Sequence, residues 1–150
     1  MLIVGLGARD GFKTGSLRNA AAAVARALAA ATATKVEFRI TDALQTLEDP
    51  PNKREAGSAF GEGLGLASFT CDQFRGSATT LTERTNLTVA AADKTFNEGM
   101  KRGLGLAEAA NVTRTLSNTP PNICTPDYLA SKARKMARES GLTCAPNSPK

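Results

Sequence analysis

Asn118-Thr119-Pro120-Pro121-Asn122-Ile123-Cys124-Thr125-Pro126 is the stretch on which the reading of this 150-residue chain turns. Its three prolines fix φ and remove three backbone donors, so neither a helix nor a strand continues through them. The residue before each proline is driven toward extended backbone. Thr125 is suited to cap a helix and Pro126 to open one. The stretch therefore reads as a stiff joint without a hinge. Residues 1–117 form an α/β unit before it, 118–125 the joint itself, and 126–150 a helix and a tail.

Upstream of the joint, Asp93 caps a long helix whose inner face is Phe96, Met100, Gly103, Ala107 and Ala110, at steps of four and three. Gly99, Gly103 and Gly105 each cost that helix about 1 kcal/mol relative to alanine. Close approach to the sheet is the expected compensation. Leu87, Val89 and the alanines after them predict a strand, and the polar stretch from Cys71 to Arg84 a loop. Asn52, after Pro50-Pro51, starts a helix over 53–69, with Glu55 near the capping-box position and a stripe of Ala56, Phe60, Gly63, Leu64 and Ala67. Val36, Phe38 and Ile40 alternate with charged residues, which predicts a strand buried on one face. Leu17, Ala20, Ala21, Val24, Ala27 and Leu28 predict an amphipathic helix over 16–31. Leu2-Ile3-Val4, ended by Gly5 and Gly7, predicts a buried strand. Strand, helix, strand argues for a parallel pair, and the expected fold class is α/β, a mixed, largely parallel sheet flanked by helices. Downstream of the joint, a helix is expected from Pro126 to about Ser140, with Leu129, Ala133, Met136 and Ala137 inward and Gly141 as its stop. Residues 142–150 (LTCAPNSPK) predict a frayed tail.

Composition narrows the chemistry. With 41% hydrophobic residues but only 5% aromatics, the core must be built mainly of Ala, Leu and Val. No run approaches the ~20 apolar residues of a membrane span, and MLIVGLG lacks the basic and apolar regions of a signal peptide. There is no histidine, which removes the usual Ser-His-Asp and Cys-His nucleophiles. Cys71, Cys124 and Cys144 are odd in number and far apart, so neither a disulfide framework nor a zinc site is expected, as suits a reducing cytoplasm. The carboxylates, from Asp42 to Glu108, are scattered without a general acid–base pair or a two-metal cluster. Gly5-Leu6-Gly7 lacks the third glycine of the dinucleotide fingerprint: Asp10 stands there and Gly11 is one late. A tight exit at positive φ is the favoured reading.

Lys plus Arg number 8 against 3 Asp plus Glu in residues 101–150, and this third carries the whole net charge of +5. Lys132, Arg134, Lys135 and Arg138 fall on the last helix. A solvated helix face is the favoured reading, with contact to an anion or nucleic acid as the alternative. Only Tyr128 is interleaved, so a stacking platform for single strands is not supported.

Leu116-Ser117-Asn118-Thr119-Pro120-Pro121-Asn122, then Thr125-Pro126 and Leu129-Ala130, with Arg114 ahead of them, resembles the segment linking the two domains of the leucyl aminopeptidases, the M17 metallopeptidases. Val4-Gly5-Leu6-Gly7, Leu17-Arg18, Ala25-Arg26-Ala27-Leu28, Glu62-Gly63 and Asp72-Gln73-Phe74-Arg75 are similar to further blocks of that family's N-terminal domain, in the same order. The resemblance implies a macro-domain-like N-terminal domain, here lacking its leading strands as a fragment would, followed by the first helix of the catalytic domain. It implies a cytoplasmic enzyme, usually hexameric, that releases N-terminal amino acids from peptides with two divalent metals, zinc or manganese. The family's metal-binding and catalytic residues have no counterpart in these residues, so no catalytic or metal-binding residue is assigned and the chain is expected to be inactive alone. The implied role is a scaffold and oligomer-contact domain, with the rest of the aminopeptidase or other subunits as partners and a homo-oligomer as the assembly. The alternative is a DNA-binding or protein-interaction module that uses the basic last third. The LTCAPNSPK tail departs from the strand expected in that family.

Overall fold

A computed structural model describes residues 2–30, 35–47, 49–74, 76 and 88–145. Its elements in chain order are helix α1 (Thr14–Ala29), strand β1 (Lys35–Phe38), helices α2 (Thr41–Gln45) and α3 (Lys53–Ala67), strand β2 (Thr88–Ala91), and helices α4 (Lys94–Ser117) and α5 (Pro126–Glu139). The α/β class is as expected. β1 and β2 pair in parallel, Lys35 opposite Thr88 and Phe38 opposite Ala91. The crossover between them is α2 and α3, so the βαβ unit lies one element later than the first residues suggest.

The strand expected at Leu2-Ile3-Val4 does not form. A strand exists through its ladder, and no ladder neighbour lies beside these residues among those described. Leu2 and Ile3 are 55% and 80% exposed, while Val4 packs against the edge of the core. The short α2 was not anticipated. Among its described side chains Leu44 is the buried one, and it joins the core. Gly7 has φ of 93°, the positive-φ exit expected of the Gly-Leu-Gly turn.

The core lies between α1, α3, α4 and the strands. Leu17, Ala21, Val24 and Ala25 of α1 meet Ala56, Ala59, Phe60 and Leu64 of α3 and Phe96 and Met100 of α4. Phe60 links the layers, with its ring 4.9 Å from Phe38 on β1 and 5.9 Å from Phe96. Each ring packs edge-on or tilted, the arrangement aromatic quadrupoles favour.

Helices α3 and α4 run parallel and so close that their backbones touch. A Cβ added at Gly57 or Gly61 of α3 would collide with the carbonyls of Phe96 and Met100, and one at Gly99 or Gly103 of α4 with those of Arg54 and Ser58. The glycines of α4 are therefore explained by approach to a helix, not to the sheet as expected. Gly105 has nothing near it and takes no part. The inner face of α4 also ends one turn early: Ala107 is fully buried, but Ala110 is exposed. The cause is that α3 stops at Ala67, level with this point, and α4 runs on without cover.

Both long helices start as their sequences require. Asn52 Oδ1 accepts from the amides of Arg54 and Glu55 at 2.9 and 3.4 Å. Asp93 Oδ1 accepts from Phe96 N at 2.9 Å. Residues 71–74 and 76 carry neither helix nor strand, in keeping with the expected loop. Arg75 and residues 77–87, with Glu83, Arg84 and Leu87 among them, lie outside the described residues, as do Glu48 and residues 146–150 of the tail.

Candidate functional site

Residues 118–125, the expected joint, start at the C-cap of α4. Asn118 Nδ2 donates to the Arg114 carbonyl at 2.7 Å, and Thr119 Oγ1 donates to the Thr115 carbonyl at 2.9 Å. Thr119 is the single buried polar residue among those described. The Pro120 carbonyl then accepts from both Ile123 N and Cys124 N at 2.9 Å, closing a turn over Pro121 and Asn122. Thr125 N donates to the Ile123 carbonyl at 2.8 Å. Thr125 Oγ1 accepts from Tyr128 N at 3.3 Å, with Pro126 at the first helical position. Asn118, Pro121, Asn122, Thr125 and Pro126 are exposed, and Pro120 is half-buried.

α5 ends as firmly as it starts. Gly141 takes φ of 68°, and the amides of Gly141 and Leu142 reach the Arg138 and Ala137 carbonyls at 3.3 and 2.8 Å. That is the Schellman arrangement, which requires a residue at positive φ. The side chains of α5 do not lie as expected. Ala137 is buried and Ala133 half-buried, but Leu129 and Met136 are 42% and 55% exposed. No α5 residue belongs to the core cluster, and no extensive packing joins α5 to α1, α3 or α4.

Lys132, Arg134, Lys135 and Arg138 are all exposed on α5. Lys132 Nζ sits 5.2 Å from the centre of the Tyr128 ring, and Lys135 Nζ is 3.7 Å from Glu139 Oε1 one turn on. Both are surface interactions of small magnitude, about 0.5 kcal/mol each.

Residues Asn111 and Arg114 form a clamp that the sequence reading passes over. Asn111 Nδ2 donates to the Gly65 carbonyl at 3.1 Å, and Arg114 Nη1 donates to the Leu66 carbonyl at 2.8 Å. The Arg114 guanidinium also lies 4.1 Å over the Phe69 ring and bonds Asn111 Oδ1 at 3.0 Å. The uncovered half of α4 thus caps the C-terminal carbonyls of α3. The three-residue spacing of Asn111 and Arg114 puts them on one face, but their partners are distant in sequence.

A groove of about 280 Å³ lies between residues 4–12 and α2, lined in part by Val4, Leu6, Phe12 and Leu47, with Arg9 and Thr46. Its walls mix apolar side chains with the polar ones of Arg9 and Thr46. Among the described residues, no three of His, Cys, Asp and Glu stand close enough to share a metal ion. The carboxylates of Glu62, Glu98 and Asp93 are instead paired with Arg18, Arg54 and Lys53 at 2.7, 2.7 and 2.8 Å. Asp93 is held below the usual carboxylate range by its bond from Lys53 and by the Phe96 amide. Cys71, Cys124 and Cys144 are free. No helix among the described residues is long and apolar enough to cross a membrane.

Comparison with known proteins gives a consistent result. The family model described as "Cytosol aminopeptidase family, N-terminal domain" matches residues 1–78. A probable cytosol aminopeptidase of Acidobacterium capsulatum is 33% identical over 148 residues, covering 96% of this chain and 28% of that protein. One of Burkholderia orbicola is 30% identical over 151 residues, covering 95% and 28%. The chain thus spans 28% of the length of these curated relatives. Among solved structures, the bottromycin maturation enzyme BotP superposes with a TM-score of 0.75 at 30% identity, over 95% of this chain and 29% of that one. BotP in complex with Mn gives the same TM-score at 28% identity.

Proposed function

The chain belongs to the cytosol aminopeptidase family, and from that premise we propose that it is the non-catalytic N-terminal part of a leucyl aminopeptidase-like metallopeptidase. In this reading the parent enzyme releases N-terminal amino acids from peptides in the cytoplasm. Residues 1–117 serve as scaffold and oligomer-contact domain, 118–125 as the interdomain joint, and 126–150 as the start of the catalytic part. The observation that carries the reading is the family match over residues 1–78. Two further observations support it. The relatives named as aminopeptidases extend far beyond the aligned segment. Glu62, Asp93 and Glu98 of this chain are engaged in ion pairs with Arg18, Lys53 and Arg54.

The chemistry assigned to the family needs divalent metals, zinc or manganese, to polarise a peptide carbonyl and activate water. One solved relative is in complex with Mn. The described side chains do not fit such a centre, so the metals and the ligands that hold them belong, in this reading, to the remainder of the enzyme. The exposed apolar side chains of α5 and the overhanging half of α4 suit burial against that remainder or against other subunits, in a homo-oligomer.

The test is an assay of the purified chain on an amino-acid anilide with added Mn²⁺ or Zn²⁺. No turnover above a blank preparation is expected. Metal-dependent turnover that stays with the chain through repurification overturns the proposal.

A further inference from the structure

We infer that residues 118–125 act as a self-braced strut, which sets the orientation of α5 on α4 before any partner is bound. α5 places only Ala137 among the buried apolar residues and none in the core cluster, so core packing does little to hold it in place. A helix carried on an ordinary linker would sample many orientations, because each free backbone residue retains about 1–2 kcal/mol of conformational entropy.

This connection has almost none of that freedom. It contains no glycine. Pro120, Pro121 and Pro126 have fixed φ, and Thr119, Pro120 and Thr125 precede prolines and are confined to extended backbone. Thr125 shows the confinement, with φ −78° and ψ 164°. The amides of Asn118, Thr119, Ile123, Cys124 and Thr125 all bond within the connection or to the end of α4. Side chains then tie both ends: Asn118 and Thr119 to carbonyls of α4, and Thr125 to the first turn of α5. BotP superposes over 95% of the chain, and what is left out is shorter than the 14 residues of α5, so the aligned length reaches into this helix. The consequence is preorganisation. Leu129 and Met136 are presented at a set angle, and a partner that covers them need not first immobilise the helix. The inference concerns the chain by itself and does not rest on the aminopeptidase reading.

The test is a distance distribution between spin labels carried by keto-bearing unnatural residues at Arg102 on α4 and Arg134 on α5, which leaves the native cysteines untouched. The unaltered chain should give one narrow distribution. Pro120→Gly with Pro121→Gly should widen it at least twofold while helix content by circular dichroism is unchanged. A Gly-Ser pair inserted between Asn122 and Ile123, which keeps both prolines, should widen it similarly and serves if the first variant folds poorly. A broad distribution in the unaltered chain overturns the inference. So does a width that neither variant changes.

Discussion

Gly103 and Gly105 lie two residues apart on α4, yet replacing each with alanine should move stability in opposite directions. In a helix interior, glycine to alanine gains about 0.5–1 kcal/mol from lost backbone freedom in the unfolded chain. At Gly105 that gain stands alone, because nothing lies within 4 Å of the added methyl. At Gly103 the methyl would run into the Ser58 carbonyl, with Glu62 N at 2.7 Å and the Ser58 carbonyl carbon at 2.8 Å. These are backbone atoms of α3, so no side chain can rotate out of the way and the helices must separate. Separation loosens the contacts of Phe60, Phe96 and Met100, which sit on the same interface. Overpacking of a tight core costs about 1–3 kcal/mol and more where backbone must shift. After the propensity gain, Gly103→Ala should lose about 2 kcal/mol net. Urea unfolding followed by circular dichroism reads both variants, with the slope unchanged and only the midpoint moved. For a chain of this length the melting temperature should fall by roughly 4–8 °C for Gly103→Ala and rise by a few degrees for Gly105→Ala. A Gly103→Ala variant as stable as the parent would show that α3 and α4 do not approach this closely.

Three further outcomes follow from named contacts. Lys53 and the Phe96 amide hold the Asp93 carboxyl below its ordinary value, so its contribution is complete above about pH 4 and is lost as pH falls through the lowered value; Asp93→Asn should therefore flatten the acid limb of a stability–pH curve, and an unchanged limb would refute this. Arg114→Ala should cost about 1–2 kcal/mol by freeing the Leu66 carbonyl and the Phe69 face, and Arg114→Lys should restore little of it in the same urea assay, since an ammonium matches neither the fork nor the stacking. With four cations on α5, of which Lys135 is paired and Lys132 lies over Tyr128, duplex DNA should be retained only at low salt, with a log–log salt slope no steeper than roughly −4; a gel shift that survives physiological salt and is lost in Lys135→Ala with Arg138→Ala would favour the nucleic-acid reading instead.

The sequence makes the helices legible because their signals are local. Asn52, Asp93 and Thr125 cap where their side chains can reach the first free amides, and Gly141 stops α5 by entering positive φ. Local signals do not say what a face meets. The glycines of α4 mark a close approach, but spacing alone cannot distinguish a sheet from a helix as the neighbour. Leu2-Ile3-Val4 has the composition of a strand, yet pairing depends on a ladder neighbour that residue types do not supply. The Asn111–Arg114 clamp escapes for the same reason, since its acceptors are the backbone carbonyls of Gly65 and Leu66.

α5 shows how this limit bears on function. Its periodicity places Leu129, Ala133, Met136 and Ala137 on one side, and a periodic apolar side ordinarily means burial. In the chain as it stands, the larger two of these four are the exposed ones. Full burial of a leucine or methionine side chain contributes about 1.5–3 kcal/mol, so these two residues, each about half exposed, leave about 1.5–3 kcal/mol of apolar burial unrealised in total. An apolar stripe on a helix capped at both ends, carried by a connection without glycine, fits the proposed role of α5 in meeting a surface outside these residues. The relatives are more than three times as long as the segment they share with this chain. In the proposed reading the stripe on α5 is one half of an interface, with the strut at 118–125 setting the angle at which the other half must arrive.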